Sequence, residues 1–228
     1  MPEAIVLLSG GLDSSTVLGL AKEDGYETIA LTFDYGQRHK REIESAVKVA
    51  ERLGVKEHLI VPLDIGRYLA SSLTRRSLNV PSGRSKSDMA TGIPSTYVPS
   101  RNIIFLTIAT AIAESRGARR VFIAANAIDY SGYPDCTPEF LDSFQKMIDV
   151  GTKAGKEGMG IRIEAPVLRM SKSDIVKEAV RLRVPLELTW SCYEGGTKAC
   201  GRCDSCLLRL EGFRQAGLED PLEYEVRR

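Results

Sequence analysis

Five short apolar runs, each followed by a stretch of helical or loop pattern, constrain this chain more than any other feature. Ala4 to Leu8, Thr28 to Phe33, His58 to Leu63, Arg120 to Ala125 and Ile161 to Ala165 are too short for helices. They are also too continuously apolar for half-exposed strands, so they read as strands buried on both faces. Between them run helical patterns, such as Ile43, Val47, Ala50 and Leu53 on one face, closed by Gly54 where a left-handed C-terminal cap is expected. Alternating strand and helix predicts an α/β fold, a parallel sheet covered by helices on both faces, with ligands expected beyond the carboxyl ends of the strands. Thr137-Pro138-Glu139 and Ser171-Lys172-Ser173-Asp174 carry the residue order of helix starts, the second as a capping box. Ser100 is placed to cap an apolar helix from Arg101 to Ser115.

Composition narrows the function. With 31 basic against 30 acidic residues the formal net charge is +1, which speaks against a dedicated nucleic-acid binder, because counterion release needs a surplus of cations. No apolar run approaches the roughly 18 residues of a membrane span, and Met1-Pro2-Glu3 lacks the basic start of a secretory signal, so a cytoplasmic location is expected. The five cysteines are an odd number clustered toward one end, which suits metal or thiol chemistry better than structural disulfides.

Four of them, Cys192, Cys200, Cys203 and Cys206, give the spacing C-x7-C-x2-C-x2-C. Two C-x2-C steps on tight turns bring four thiolates together, and four thiolates fill a tetrahedral sphere, so a structural zinc is expected. An iron-sulfur cluster or a redox pair would use the same residues. The metal would pin a tail too small for its own core, dividing the chain into an α/β domain at 1–185 and an appendage at 186–228.

Ser9-Gly10-Gly11-Leu12-Asp13-Ser14-Ser15 follows the first run and opens a helix at about Asp13 to Lys22. Two glycines let the backbone turn tightly and present N–H groups, and the helix start adds partial positive charge, so this is an anion cradle. It ends without the lysine that grips a terminal phosphate in the GxxxxGK[ST] loop. Arg101 and Asn102 open an apolar helix, where a cation faces the positive end of the dipole; an anionic ligand would reverse that cost. Asp34, in Asp34-Tyr35-Gly36-Gln37-Arg38-His39, follows the second strand at the distance of a ribose contact in dinucleotide folds, while His39 alone reads more readily as part of a solvated turn. Asp129-Tyr130-Ser131-Gly132-Tyr133-Pro134-Asp135-Cys136 lies at the carboxyl edge of the sheet, where two acids and two phenols suit a purine-like amide edge. Cys136 reads as a buried apolar residue, and Lys172 as a solvated helix-start lysine in preference to one that reaches the site. The stretch from about Gly66 to Pro99, with Arg67, Arg75, Arg76, Arg84 and Lys86 against the single acid Asp88, reads either as a basic lid over an anion or as a mobile loop.

The wording SGGLDSS resembles the pyrophosphate-binding loop of the ATP pyrophosphatase superfamily. Together with FDYGQRH, YVPSRN, DYSGYPDC, TWSCY and the CGRC-DSC tail, in order over residues 9 to 206, the chain resembles the 7-cyano-7-deazaguanine synthase family of queuosine biosynthesis. The resemblance implies an ATP-dependent ligase converting 7-carboxy-7-deazaguanine and ammonia to 7-cyano-7-deazaguanine through adenylated carboxylate and amide. Magnesium would lie on the phosphates and one zinc on Cys192, Cys200, Cys203 and Cys206, with no nucleic-acid or membrane partner and with a homodimer allowed. It implies nucleotide contacts from Leu8, Ser9, Gly10, Gly11, Leu12, Asp13, Ser14, Ser15, Thr16, Val17, Leu18, Asp34, Arg101 and Asn102. Catalysis would fall to Asp13, Arg101 and Asp135, and the deazapurine to Tyr133, Asp135 and Cys136. Two rivals remain at this stage: an ATP pyrophosphatase that adenylates a tRNA base for thiolation, and a zinc-ribbon interaction module whose glycine loop is idle.

Overall fold

The computed structural model describes residues 1–89, 91–128 and 132–226. Asp129, Tyr130 and Ser131 of the expected substrate loop lie outside the described residues. The strands are β1 (Glu3–Leu7), β2 (Glu27–Asp34), β3 (Glu57–Pro62), β4 (Arg120–Phe122) and β5 (Arg162–Glu164), each within two or three residues of its apolar run. They form one parallel sheet in the order β3-β2-β1-β4-β5. The helices are α1 (Leu12–Glu23), α2 (Arg41–Leu53), α3 (Lys86–Met89), α4 (Arg101–Arg116), α5 (Pro138–Gly151), α6 (Lys153–Lys156), α7 (Lys172–Arg181) and α8 (Asp204–Ala216).

Strand alternation explains the continuous apolar runs. Ile5 and Leu7 of β1 face a core layer with Leu106 and Ala109 of α4 and Phe144 of α5, whereas Ala4 and Val6 face a second layer with Val17 and Leu18 of α1, Val49 of α2 and Ile175 of α7. Both faces are covered, as a parallel sheet requires. Phe213 of α8 enters the second layer, so the C-terminal segment shares the core of the body. The buried face of α2 is carried by Ala46, Val49 and Ala50, with Val47 only partly covered, and Gly54 ends the helix at φ 63°.

Thr137 caps α5 by accepting from the Phe140 N–H, and Ser171 and Asp174 form the expected capping box of α7. Ser100 does not cap α4. Its backbone is left-handed, at φ 57°, and its side chain bonds no helix amide; the carboxylate of Asp135 accepts from the Asn102 N–H at 2.9 Å instead. A cap supplied from 33 residues away has no local sequence signal.

The 66–99 stretch is folded back onto the body through buried Ser71, Ser72, Leu73, Val80 and Val98. The Arg38 guanidinium holds it by donating to the Ser72 and Leu78 carbonyls at 3.0 and 2.9 Å. Its far end reaches the cysteine region, where the Gly83 N–H donates to the Arg202 carbonyl and Arg84 pairs with Asp204 at the start of α8.

Candidate functional site

Because β2 lies on one side of β1 and β4 on the other, connections leave the sheet in opposite directions at β1, and a crevice opens beyond the carboxyl ends of these strands. A cavity of about 300 Å³ occupies it. Its two ends differ in chemistry.

The phosphate end is the glycine loop. Gly10 sits at φ 82°, and a Cβ there would overlap the backbone of Glu42 and Ala46, so only glycine lets the loop pack against α2. The Gly10 carbonyl accepts from the Trp190 N–H at 2.8 Å, which ties the loop to the segment before the cysteines. Gly11 precedes α1 with no side-chain cap, leaving the first amides of α1 for an anion. The hydroxyls of Ser9 and Ser14 lie 3.0 Å apart, whereas those of Ser15 and Thr16 turn back to the Gly11 and Leu12 carbonyls at 2.7 and 2.8 Å. Leu8, Ser9, Gly11, Leu12, Asp13 and Ser14 therefore line the cavity. Gly10, Ser15, Thr16, Val17 and Leu18 do not; Val17 and Leu18 are core residues facing the sheet. Lys172, expected to be solvated, reaches in from α7 and donates to both carboxylate oxygens of Asp13, at 2.7 and 2.9 Å. Its stem fits because residue 212 of α8 is glycine: a Cβ there would overlap the Lys172 side chain.

The other end is aromatic. Tyr35, Phe105, Tyr133 and Tyr193 surround Arg101 and Glu42. The Arg101 guanidinium carbon lies 5.9 Å from the Tyr133 ring centroid, and the Tyr133 hydroxyl donates to the Thr96 hydroxyl at 2.8 Å. Burial pushes the Tyr133 phenol above its ordinary value, so it remains a neutral donor. Asn102 anchors the start of α4 by donating to the Asp135 carbonyl at 3.0 Å and to the Cys136 sulfur at 3.2 Å. The thiol of Cys136 is pushed up to about 11, chiefly by burial and then by Asp135, which keeps it protonated and unreactive as a nucleophile. Cys136 and Tyr133 line the cavity, but Asp135 does not: it is 3% exposed and engaged with the start of α4. Asp34 also lies off the cavity, its carboxylate held by Lys40 at 3.1 Å, while its neighbours Phe33 and Tyr35 line it. His39 is half-buried rather than part of a solvated turn, its ring set so close to Gly195 that a Cβ there would overlap it.

Sequence reasoning missed Glu42, Arg209 and Trp190, and misplaced Lys172. Glu42 sits in the first turn of α2, where an acid is ordinary, and nothing local marks it. Burial raises its carboxyl to about 7, partly countered by the nearby Arg101 charge. Arg209 of α8 is 2% exposed; it pairs with Asp220 at 2.7 Å, donates to the hydroxyls of Thr189 and Ser191, and reaches the cavity wall. Arg67, Arg75, Arg76 and Arg84 do not line the cavity; from that stretch Leu73 does. Arg67 instead pairs with Asp64 at the surface.

The four cysteines are buried, with their sulfurs within 4.8 Å of one another, an arrangement consistent with a metal site. Backbone amides of Glu194, Cys200, Arg202 and Cys203 point at the Cys192 and Cys200 sulfurs at 3.3 to 3.5 Å, as donors to thiolate do. Trp190 covers the cluster and donates its indole N–H to the Cys192 carbonyl at 2.9 Å. Among the described residues no helix is long and apolar enough to cross a membrane.

A glycine loop at an uncapped helix start, set at the switch point of a parallel sheet with a four-cysteine cluster beside it, defines an α/β protein with an anion-binding crevice at the carboxyl edge of its sheet. The solved structures agree on the fold. NMN synthetase from Francisella tularensis superposes with a TM-score of 0.50 at 16% identity over 96% of this chain and 78% of its own. A predicted subunit of tRNA methyltransferase from Methanocaldococcus jannaschii gives 0.50 at 17% identity over 79% and 75%. The family profile described as queuosine biosynthesis protein QueC matches residues 3–217. The 7-cyano-7-deazaguanine synthases of Thermosynechococcus vestitus, Pseudomonas fluorescens and Nostoc sp. are 52%, 51% and 50% identical to this chain. They cover 98%, 97% and 97% of it and 96%, 97% and 97% of their own lengths. The chain belongs to the QueC family, the 7-cyano-7-deazaguanine synthases of queuosine biosynthesis.

Proposed function

We propose that the chain converts 7-carboxy-7-deazaguanine and ammonia to 7-cyano-7-deazaguanine by adenylating first the carboxylate and then the amide. The observation that carries this reading is the shared cavity, with a clamped phosphate loop at one end and an aromatic chamber holding Arg101 at the other. A carboxylate is a poor electrophile until one oxygen becomes a leaving group. Its oxygen attacks the α-phosphorus of ATP, pyrophosphate departs onto the α1 amides and the Ser9 and Ser14 hydroxyls, and ammonia displaces AMP to leave the amide. The amide oxygen then attacks a second ATP, and loss of AMP with the two nitrogen protons leaves the nitrile. Arg101, which starts α4 and lines the cavity, would offset the negative charge of the acyl phosphate.

Magnesium would be carried mainly by phosphate oxygens, with Asp13 the acid nearest the loop that could share it in exchange for Lys172. The four thiolates would hold zinc: tetrahedral zinc at about 2.3 Å from sulfur sets the sulfurs about 3.8 Å apart, and Cys200 and Cys206 lie 3.9 Å apart. With four protein ligands it is structural, and it would fix 186–228 as an appendage on the domain at 1–185. Incubation with ATP, ammonium and the deazapurine acid, followed by mass spectrometry, tests the reading: the nitrile with AMP and pyrophosphate is expected, and nucleotide consumption without nitrile, or none at all, rejects it.

A further inference from the structure

Two carboxylates line the described part of the cavity, Asp13 and Glu42, and they are held differently. Both oxygens of Asp13 accept from Lys172. Asp135, the acid that the sequence pattern offers for the heterocycle, is spent on the backbone of α4 and stands outside the lining. Glu42 faces the aromatic end with Tyr35, Tyr133 and Arg101, and no hydrogen-bond donor within the described residues meets its carboxylate. A partly buried carboxylate without donors is costly, and the cost is recovered when a ligand brings them. The 2-aminopyrimidinone edge of a deazaguanine presents two parallel N–H donors, the ring N1–H and the exocyclic amine, and a carboxylate is the side chain that accepts both at once. The remaining walls suit the rest of that ring: phenol and phenyl faces for stacking, and Arg101 for the carboxylate on the opposite side of the heterocycle.

We infer that Glu42 is the residue that reads the 2-aminopyrimidinone edge of the substrate, accepting from its ring N–H and its exocyclic amine. The inference rests on the proposed reaction and adds which side chain selects the base. It also gives the start of α2 two tasks in one turn, since the Glu42 carbonyl, with the Ala46 amide, is what Gly10 packs against. Base recognition and the phosphate loop thus share a rigid support.

The test compares the wild-type protein, Glu42→Gln and Asp129→Asn on two substrates, the deazapurine acid and its analogue with hydrogen in place of the 2-amino group. The wild type should prefer the amino substrate in kcat/KM. In Glu42→Gln, KM for the acid should rise roughly 10- to 100-fold, the loss of one charge-assisted pair, while kcat and KM for ATP change little. Its preference for the amino substrate should collapse toward one. Unchanged discrimination in Glu42→Gln, discrimination lost only in Asp129→Asn, or a fall in kcat with KM intact would each overturn the assignment. If the wild type makes no nitrile from either compound, the proposed reaction itself fails; if it makes nitrile and Glu42→Gln discriminates as before, only the role of Glu42 falls.

Discussion

The two ends of the cavity are built in opposite ways. The phosphate end is one continuous segment, Ser9 to Ser14, whose geometry follows from two glycines and a helix start, with distant support from Lys172 and from the Trp190 N–H on the Gly10 carbonyl. The aromatic end draws Tyr35, Glu42, Arg101, Tyr133 and Tyr193 from five separate places in the chain. A continuous site is set by local backbone rules and tolerates little change at its glycines. A discontinuous one depends on buried supports that hold its pieces in register, here Asp135 under α4 and Arg209 under the Trp190 segment. The first should therefore fail through geometry, the second through stability and specificity.

The largest effect is expected at Gly10. Alanine there meets both a left-handed backbone and overlap with α2, so AMP formation should fall more than about a hundredfold while the far-ultraviolet spectrum stays native. Near-normal turnover would mean that the loop has more freedom than its packing allows. Arg209→Met should act through stability, since it removes the buried cation that pairs with Asp220, at a cost of about 3–5 kcal/mol; a thermal midpoint lowered by roughly 10 °C is expected. An unchanged midpoint would show that the tail does not support the body.

Lys172→Met removes the partner of Asp13 and should lower kcat/KM for ATP roughly 10- to 100-fold, with Lys172→Arg recovering part of it. Equal activity in all three proteins would uncouple α7 from the loop. Glu42 predicts a pH effect in the ligand-free protein. Its folded-state carboxyl near 7 lies above the ordinary 4.5, so the folded state binds the extra proton and stability falls as pH rises through that window. Glu42→Gln should gain on the order of 1 kcal/mol over wild type at pH 8 and little at pH 4, read from melting curves. A gain of the same size at both would contradict a buried acid. The smallest effect belongs to Cys136→Ala, where a protonated thiol has no nucleophilic role and activity within about fivefold of wild type is expected.

The same contrast separates what could be read in advance from what could not. The five strands, the capping box at Ser171 and the four-cysteine cluster are legible because each is specified by neighbours in sequence. Asp34 and Asp135 were drawn toward the ligand by their place after a strand and beside a helix, yet one pairs with Lys40 and the other replaces the missing cap of α4. Lys172 looked solvated because nothing near it announces that Gly212, forty residues on, clears its path to Asp13. Glu42 resembles any acid in a first helical turn; it is the tertiary approach of α4, the 133–136 turn and the Tyr193 segment that encloses it. Tertiary enclosure, which local propensity does not encode, decided each of these cases.

The central claim is that one carboxylate oxygen of the heterocycle is transferred to AMP across this cavity. Acid labelled with oxygen-18 in its carboxylate, supplied with ATP and ammonium, should yield AMP carrying the label on its phosphate, seen by mass spectrometry and by the phosphorus resonance shift. Label recovered only in water or in inorganic phosphate, with AMP unlabelled, would contradict it.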